Sequence, residues 1–456
     1  MSASFFSKER IIAPPGWSRW LVPPAALSIH LSIGAAYSWS VFKKPLEGAL
    51  HISGTLSALP FTVGIVMLGL SAAVFGAWVD RNGPRAAMFV AMCCFCGGWL
   101  VGSAGLAMHQ YWLVLFGYGL LGGIGWGIGY ISPVSTLIKW FPDKPGMATG
   151  LAIMGFGGGA LIASPWSTAM LKGFGTGSAG IAKTFLVHGV AYAVFMSLGW
   201  LLVRVPRADW KPHGWTAAAP TVGSLVSVGQ VSASNAIKTP QFWLLWIVLC
   251  FNVTAGIGIL EKASPIYQDF FPSGVTAALA AAAAGYVALL SLSNMLGRIG
   301  WSSLSDVIGR KNAYRMYLGV GALLYLTITL MQNSNKVVFL IATMLILSFY
   351  GAGFATVPAY LRDLFGTYEV GAIHGRLLTA WSVAGILGPI IVNAIADSQE
   401  AVGKSGPALY TLSFAIMIAL LIIGLVCNEL IKPVNHKWHE PTEYVVPANA
   451  AEEATR

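Results

Sequence analysis

The chain alternates long apolar segments with short polar ones. Apolar runs of about 20 residues, the length that an α-helix needs to cross the ~30 Å hydrocarbon core of a bilayer, recur twelve times along the sequence. We therefore expect an all-α membrane protein with twelve transmembrane helices. The predicted spans are residues 20–42, 56–78, 86–106, 111–138, 146–170, 184–203, 241–260, 276–302, 316–331, 337–360, 371–396 and 406–428.

The longest polar stretch between two spans, residues 204–240, divides the pattern into two sets of six. It is rich in Pro, Gly and small residues and predicts a linker. The N-terminal six-helix bundle then covers residues 20–203, and the C-terminal bundle covers residues 241–428. Residues 1–19 are expected to form an N-terminal segment, and residues 429–456 a flexible tail.

Composition favours a membrane protein and argues against other classes. The chain is 56% hydrophobic and 10% charged, whereas soluble domains carry about 25% charged residues. The five cysteines lie in apolar runs without metal-ligand spacing, so we expect no metal and no cofactor. The glycine runs GLLGGIGWGIG and GFGGGA follow no predicted strand and predict close helix packing rather than nucleotide binding. No nucleophile–base pair stands out, so we expect no enzyme.

Basic residues are distributed unevenly between the two sides of the predicted bilayer. With the N-terminus inside, the inner segments hold 19 Lys and Arg and the outer loops hold 7. This positive-inside bias predicts that both termini, and the linker, are cytoplasmic in a plasma membrane, which is the inner membrane in a bacterium. It also accounts for most of the net charge of +10 without a nucleic-acid partner. Of the 27 basic residues, Arg298 alone belongs to neither side.

Two predicted cytoplasmic loops repeat each other. GAWVDRNGPR follows the second span, and SSLSDVIGRK follows the eighth. Their aspartates, Asp80 and Asp306, lie 226 residues apart, and Gly150 and Gly375 lie 225 apart. Such an internal repeat is typical of transporters whose substrate site lies between the repeats. We expect the loop residues to form a charge network at a cytoplasmic gate, with Asp80, Arg81, Gly83, Arg85, Asp306, Gly309 and Arg310 as its members.

Arg298 lies eight residues before Asp306, which is about 12 Å of helix and close to mid-bilayer. A charge at this depth is costly, and such residues usually face an aqueous path or the bundle interior. A guanidinium matches a carboxylate with two parallel hydrogen bonds and stays protonated at any working pH. We therefore predict that Arg298 binds an anionic substrate. The alternative is a structural arginine that snorkels towards the interface or donates to backbone carbonyls.

Asn294 lies one helical turn before Arg298 and on the same face of the helix. It is a candidate substrate ligand, because its amide can donate to a second substrate oxygen. Two alternatives remain: the amide holds the guanidinium in place, or it joins two helices by a hydrogen bond.

The two loops resemble the loop motif of the major facilitator superfamily, which follows its helices two and eight. Further stretches, YSWSVF, WFPDKPGMATG, TPQFW and GRIGWSSLSDVIGR, are similar to the oxalate:formate antiporter family, whose members move small carboxylates. The resemblance covers essentially the whole membrane region. It implies the major facilitator fold, with two six-helix pseudo-repeats, and a substrate carboxylate bound by Arg298.

The resemblance also implies an aromatic cavity and one departure from the family. Tyr130, Tyr350 and Phe354 match cavity-lining aromatics, and Tyr37 in the first span is a further candidate. The alternative for each is an interfacial or lipid-facing aromatic, common in membrane proteins. Oxalate-exchanging members resemble one another in a helix-eleven lysine, where this chain has Trp381. The departure favours a substrate with one carboxylate, and Trp381 becomes a candidate site residue.

His30 lies in the middle of the first span, and an unperturbed histidine titrates near neutral pH. It is a candidate proton relay if transport is coupled to protons. The alternative is a neutral histidine hydrogen-bonded between helices.

Together these observations predict a monomeric secondary active transporter of small monocarboxylates, such as formate, lactate or pyruvate, working by alternating access in the lipid bilayer. The coupled species is a proton or a counter-anion. The alternatives are an exchanger of oxalate or another dicarboxylate, and a carboxylate sensor on a transporter scaffold.

Overall fold

The computed structural model describes residues 5–207, 210–216, 225–227, 229–272 and 276–441, without the side chains of Glu261 and residues 276–284. Much of the predicted tail, residues 442–456, and part of the predicted linker lie outside the described residues. Within the described ranges, the regular structure is helical apart from one parallel bridge between Ile12 and Val205.

Twelve long helices, α1 to α12 in chain order, form the described part of the chain. Helix α1 has two arms, Arg19–Ser38 and Ser40–Leu50, bent by 52°. Among the described residues, ten helices are long and apolar enough to cross a membrane, and the two arms of α1 pass the same test together. Helix α8 has 33 residues and is about 50 Å long, so it also exceeds a bilayer core. The other helices are α2 Gly54–Asn82, α3 Pro84–Ala107, α4 Tyr111–Trp140, α5 Pro145–Phe174, α6 Ser178–Leu202, α7 Pro240–Glu261, α8 Thr276–Ile308, α9 Arg310–Met331, α10 Lys336–Phe365, α11 Val370–Ala401 and α12 Thr411–Leu430.

Several helices extend beyond the spans predicted from hydrophobicity. Helix α6 begins at Ser178 rather than at residue 184, α8 ends at Ile308 rather than at 302, and α9 begins at Arg310 rather than at 316. Helix α1 continues after its bend to Leu50, beyond the predicted end at residue 42. Hydrophobicity marks only the part of a helix in the hydrocarbon core, whereas its backbone hydrogen bonds continue into the interface, where polar side chains are solvated.

Helices α1–α6 and α7–α12 form two halves, as the predicted fold requires. Helix α2 packs along α11 and α5 packs along α8, and these pairs form most of the interface between the halves. The described terminal segments and the linker meet at one end of the bundle: Ala13 N donates to Val205 O over 2.9 Å, and Glu440 N donates to Gln230 O over 2.7 Å. The described parts of both termini therefore share one end, as an even number of spans requires.

The loop-motif end is the end of the bundle at which Asp80 and Asp306 lie. Asp306 accepts hydrogen bonds of 2.8 Å from Gly146 N and Met147 N at the start of α5. Asp80 accepts a hydrogen bond of 2.8 Å from Ala372 N at the start of α11. A carboxylate in this position satisfies N–H groups that have no partner within the helix and interacts favourably with the helix dipole. Each aspartate thus ties its own half to the other.

Glycines make two features of this end possible. Gly83 and Gly309 have φ angles of +84° and +85°, a region that favours glycine, where the chain turns from α2 into α3 and from α8 into α9. Gly375 lies at a close crossing of α11 and α2, where an added Cβ would lie 2.0 Å from the carbonyl oxygen of Ala72. The loop-motif end can close this tightly only because that position has no side chain.

Candidate functional site

Arg298 is fully buried on α8, where this helix packs against α5 of the other half. Its Nε donates to Asn294 Oδ1 over 3.1 Å, and its Nη1 donates to Ile153 O of α5 over 3.3 Å. Its Nη2 is buried without a hydrogen-bond partner. No carboxylate of the described residues forms an ion pair with it. Because an uncompensated buried charge is strongly destabilising, this arrangement suits a bound anion.

A continuous set of aromatic rings, called the aromatic chamber below, adjoins the guanidinium. The Arg298 Cζ atom lies 5.4 Å from the ring centroid of Phe354 and 5.9 Å from that of Phe156, within the range of cation–π attraction. The Trp381 ring lies 4.3 Å from Phe354 and 5.3 Å from Phe156, and the Tyr130 ring lies 5.5 Å from both Phe156 and Trp381. The chamber consists of Tyr37, Tyr130, Phe156, Tyr350, Phe354 and Trp381.

The chamber draws its walls from both halves. Tyr37 of α1, Tyr130 of α4 and Phe156 of α5 come from one half, and the rings on α10 and α11 come from the other. The structure thus brings together every residue that the sequence suggested for substrate binding, including Asn294 beside Arg298. Their role as substrate ligands remains a prediction.

Two further polar atoms in the chamber wall are buried without partners. These are the Tyr130 hydroxyl and the Trp381 indole Nε1, on residues with no exposed surface. A buried donor that makes no hydrogen bond costs about 1–3 kcal/mol. Together with Arg298 Nη2, they give the chamber three donors available to a small ligand.

The chamber is bounded on the side away from the loop-motif end by two tyrosines. The hydroxyls of Tyr37 and Tyr350 lie 3.2 Å apart and form a hydrogen bond between the halves. Tyr350 lies one turn before Phe354 on α10, farther from the end of that helix at Phe365. At this side of the chamber the halves are joined by a pair of side chains, whereas at the loop-motif end they are joined by aspartates bonded to the first turns of α5 and α11.

Two buried histidines flank Tyr130. His30 Nε2 lies 3.2 Å from Tyr130 O, and His30 Nδ1 lies 3.3 Å from Ala26 O. A neutral imidazole carries one N–H and donates to only one of these carbonyls. The ring of His374, on α11, lies 5.9 Å from that of Tyr130, and its Nε2 has no hydrogen-bond partner. The structure places His30 behind the chamber wall, and the proton-relay role stays a prediction.

The residues suggested for the gate divide into two groups. Arg310 bonds Asp306 Oδ1 over 2.5 Å and Asp363 Oδ2 over 3.1 Å, so it joins α8 to the end of α10. Arg85 instead donates to backbone carbonyls of α6 and of the N-terminal segment, inside its own half. Arg81 is exposed. Among the residues suggested for the gate, the hydrogen bonds that cross between the halves therefore come from the two aspartates rather than from these arginines.

Sequence reasoning missed three residues near the site. Phe156 contacts Arg298 and Trp381, and the internal repeat carried the signal: Phe156 follows Gly150 by six residues, as Trp381 follows Gly375. His374 had no signal beyond its position in the repeat. Arg376, counted with the inner loops, lies in the second turn of α11 with Nη1 buried and unpartnered.

A helical bundle in two halves, with a chamber between them, defines the class as a membrane transporter. The chain belongs to the Major Facilitator Superfamily, whose family model matches residues 25–389. The family and the fold are those of transporters, not of enzymes.

Individual relatives are more distant. The chain is 28% identical over 385 residues to the oxalate:formate antiporter of Oxalobacter formigenes, covering 84% of this chain and 86% of that protein. It is 24% identical over 392 residues to apicoplast pyruvate carrier 1 of Toxoplasma gondii, covering 74% of this chain and 69% of that protein. Its fold is similar to that in the crystal structure of the Escherichia coli fucose:proton symporter, with a TM-score of 0.66 and 15% identity. The match covers 90% of this chain and 99% of the symporter chain.

Proposed function

We propose that the protein is a secondary active transporter that moves small monocarboxylates, of the formate, lactate and pyruvate type, by alternating access. One observation carries the proposal: Arg298 is fully buried between the halves, with Nη2 unpartnered inside an aromatic chamber. A carboxylate supplies the missing counter-charge and accepts the parallel hydrogen bonds that a guanidinium offers. Relatives named for oxalate, formate and pyruvate support the same class of substrate.

Binding of one carboxylate neutralises the guanidinium, which lowers the cost of closing the chamber around it. This favours exchange or proton symport over uniport. The loop-motif end is the cytoplasmic end of the proposed cycle, and Asp80 and Asp306 hold it shut through α11 and α5. If transport is proton symport, the proposed carrier of the proton is His30, the carboxyl group of the substrate or a path of water molecules.

Exchange of oxalate or another dicarboxylate is the second candidate. The similarity to the oxalate:formate antiporter favours it. A dianion brings a second charge, however, and the position at which the resemblance to oxalate exchangers implies a second cation holds the neutral indole of Trp381, beside Phe354. Monocarboxylates therefore remain our first candidate.

The test is uptake of radiolabelled formate, lactate, pyruvate and oxalate by the purified protein in proteoliposomes. We expect Arg298→Gln to lower monocarboxylate uptake by about 100-fold or more, because a charge-assisted pair in the chamber is lost. Arg298→Lys should retain less than a tenth, since an ammonium lacks the planar fork. The matched control is Lys172→Gln, an exposed basic side chain near the far end of α5, which should transport normally.

Uptake unchanged by Arg298→Gln would overturn the proposal, and preference for oxalate would replace it with the second candidate. A protonophore distinguishes the coupling modes, because it abolishes accumulation by symport. Stimulation by carboxylate loaded on the opposite side of the membrane identifies exchange instead.

A further inference from the structure

The hydrogen-bond donors of the chamber are of two chemical kinds. Arg298 Nε donates to Asn294 Oδ1 and Nη1 donates to Ile153 O, so Nη2 is the charged donor that is left unpartnered. The Tyr130 hydroxyl and the Trp381 Nε1 are neutral donors, also fully buried and unpartnered. The indole N–H is a donor only, so it needs an acceptor, and an oxygen of the ligand can be that acceptor.

Both kinds of donor adjoin the same phenylalanine rings. The Phe354 ring centroid lies 5.4 Å from the Arg298 Cζ atom and 4.3 Å from the centroid of the Trp381 ring. Phe156 lies in a similar position, at 5.9 Å and 5.3 Å. The guanidinium and the indole therefore border the same small set of aromatic rings, and the Tyr130 ring lies 5.5 Å from that of Trp381.

We infer that the chamber selects monocarboxylates that carry a second, uncharged oxygen on the carbon next to the carboxylate, namely 2-oxo and 2-hydroxy acids. The inference rests on the proposed function and deepens it: Arg298 holds the carboxylate, and Tyr130 and Trp381 donate to the keto or hydroxyl oxygen. Neutral donors stabilise a neutral acceptor without compensating a second negative charge. The same pair of residues thus disfavours dicarboxylates.

The chemistry predicts strong rejection of acids that lack the second oxygen. An analogue without it leaves both donors buried and unpaired, and a site built around such donors rejects the deoxy analogue by far more than a merely apolar pocket does. Chain length is a separate variable, so the comparison must use acids with equal numbers of carbon atoms.

The experiment is competition against labelled pyruvate uptake in proteoliposomes. Pyruvate and lactate are compared with propionate, which has the same three carbons, and glyoxylate is compared with acetate. We expect the wild type to bind each oxygenated acid at least tenfold more tightly than its matched analogue. In Trp381→Phe and Tyr130→Phe, which keep the rings and remove one donor each, pyruvate should lose several-fold more affinity than propionate.

The control variant is Trp112→Phe, which changes an indole that is 67% exposed and should leave the pyruvate-to-propionate ratio at the wild-type value. Equal competition by pyruvate and propionate in the wild type would overturn the inference while leaving monocarboxylate transport intact. A ratio preserved in both chamber variants would also overturn it. If no monocarboxylate competes, the proposed function itself fails. The wild-type measurements alone show whether that is so, even where a variant does not fold.

Discussion

The Asn294 amide orients the Arg298 guanidinium. Its Oδ1 accepts from Arg298 Nε over 3.1 Å and so fixes the guanidinium from its own helix. Because the amide is neutral, it orients the charge without compensating it. The sequence suggested Asn294 as a ligand, as a support for the guanidinium or as a link between two helices, and its hydrogen bond in the structure is to the guanidinium of its own helix.

Asn294→Asp should inhibit transport more strongly than Asn294→Ala. The new carboxylate would pair with Arg298 and compete with the substrate, whereas alanine only removes a positioning contact. Hydrogen bonds to charged groups contribute about 1.5–3 kcal/mol, so we expect about 10- to 100-fold weaker monocarboxylate binding in the aspartate variant, measured by competition for uptake. Asn312→Asp is a matched control, because Asn312 Oδ1 accepts from Arg315 Nη1 over 2.6 Å at an exposed position. Equal affinities in the alanine and aspartate variants would contradict this account.

The internal repeat assigns each residue of the site an equivalent position in the other half, and the residues at the two positions differ in chemistry. Arg298 lies 226 residues after Ala72, the same offset that separates the two loop aspartates. Phe156 and Trp381 are related by the offset of 225 that also relates Gly150 and Gly375. The halves therefore contribute aromatic walls in corresponding places, and only one contributes the charge. An asymmetric ligand with one anionic end fits this asymmetry.

At the scale of elements, α5 and α11 are used alike in the two halves. An aspartate of the other half bonds the first turn of each, through Met147 N in α5 and Ala372 N in α11. One turn later each helix has a glycine against a backbone carbonyl: a Cβ on Gly150 would lie 2.7 Å from Arg298 O, and one on Gly375 would lie 2.0 Å from Ala72 O. The closed loop-motif end is therefore held by these specific contacts between the helices of the two halves.

Gly375→Leu should shift the protein towards a state open at the loop-motif end. The added side chain overlaps α2 in the closed arrangement, and overpacking of this kind costs about 1–3 kcal/mol, which is about 5- to 150-fold in the equilibrium between states. The measurement is maleimide labelling of Ala372→Cys in a background that lacks the five native cysteines, and we expect labelling that is at least about fivefold faster. Gly173→Leu is the control, since a Cβ there meets nothing within 4 Å. Labelling that stays slow would mean that α2 and α11 accommodate the leucine without opening the loop-motif end.

At the scale of the whole molecule, both described terminal regions and the linker lie at the loop-motif end. The sequence assigns 19 basic residues to this side and 7 to the other. The positive-inside rule therefore predicts that the loop-motif end is cytoplasmic.

Single-cysteine labelling in right-side-out vesicles tests this orientation. Arg81 and Lys172 are both exposed basic residues, at the loop-motif end and near the far end of α5 respectively. A membrane-impermeant maleimide should label Lys172→Cys at least tenfold faster than Arg81→Cys. The reverse order would show that the charge asymmetry does not set the topology of this chain.

The sequence by itself determined the membrane class, the twelve helices, the repeat and the isolated charge of Arg298. These properties depend on local hydrophobicity and on residue counts, which need no knowledge of packing. Only the tertiary structure decided that Nη2 of Arg298, the Tyr130 hydroxyl and the Trp381 indole are left unpartnered in one enclosure. It also placed Phe156 against the guanidinium and Arg85 away from the contact between the halves. Which donors are satisfied depends on contacts between helices more than a hundred residues apart, and the pattern along a single helix does not contain that information.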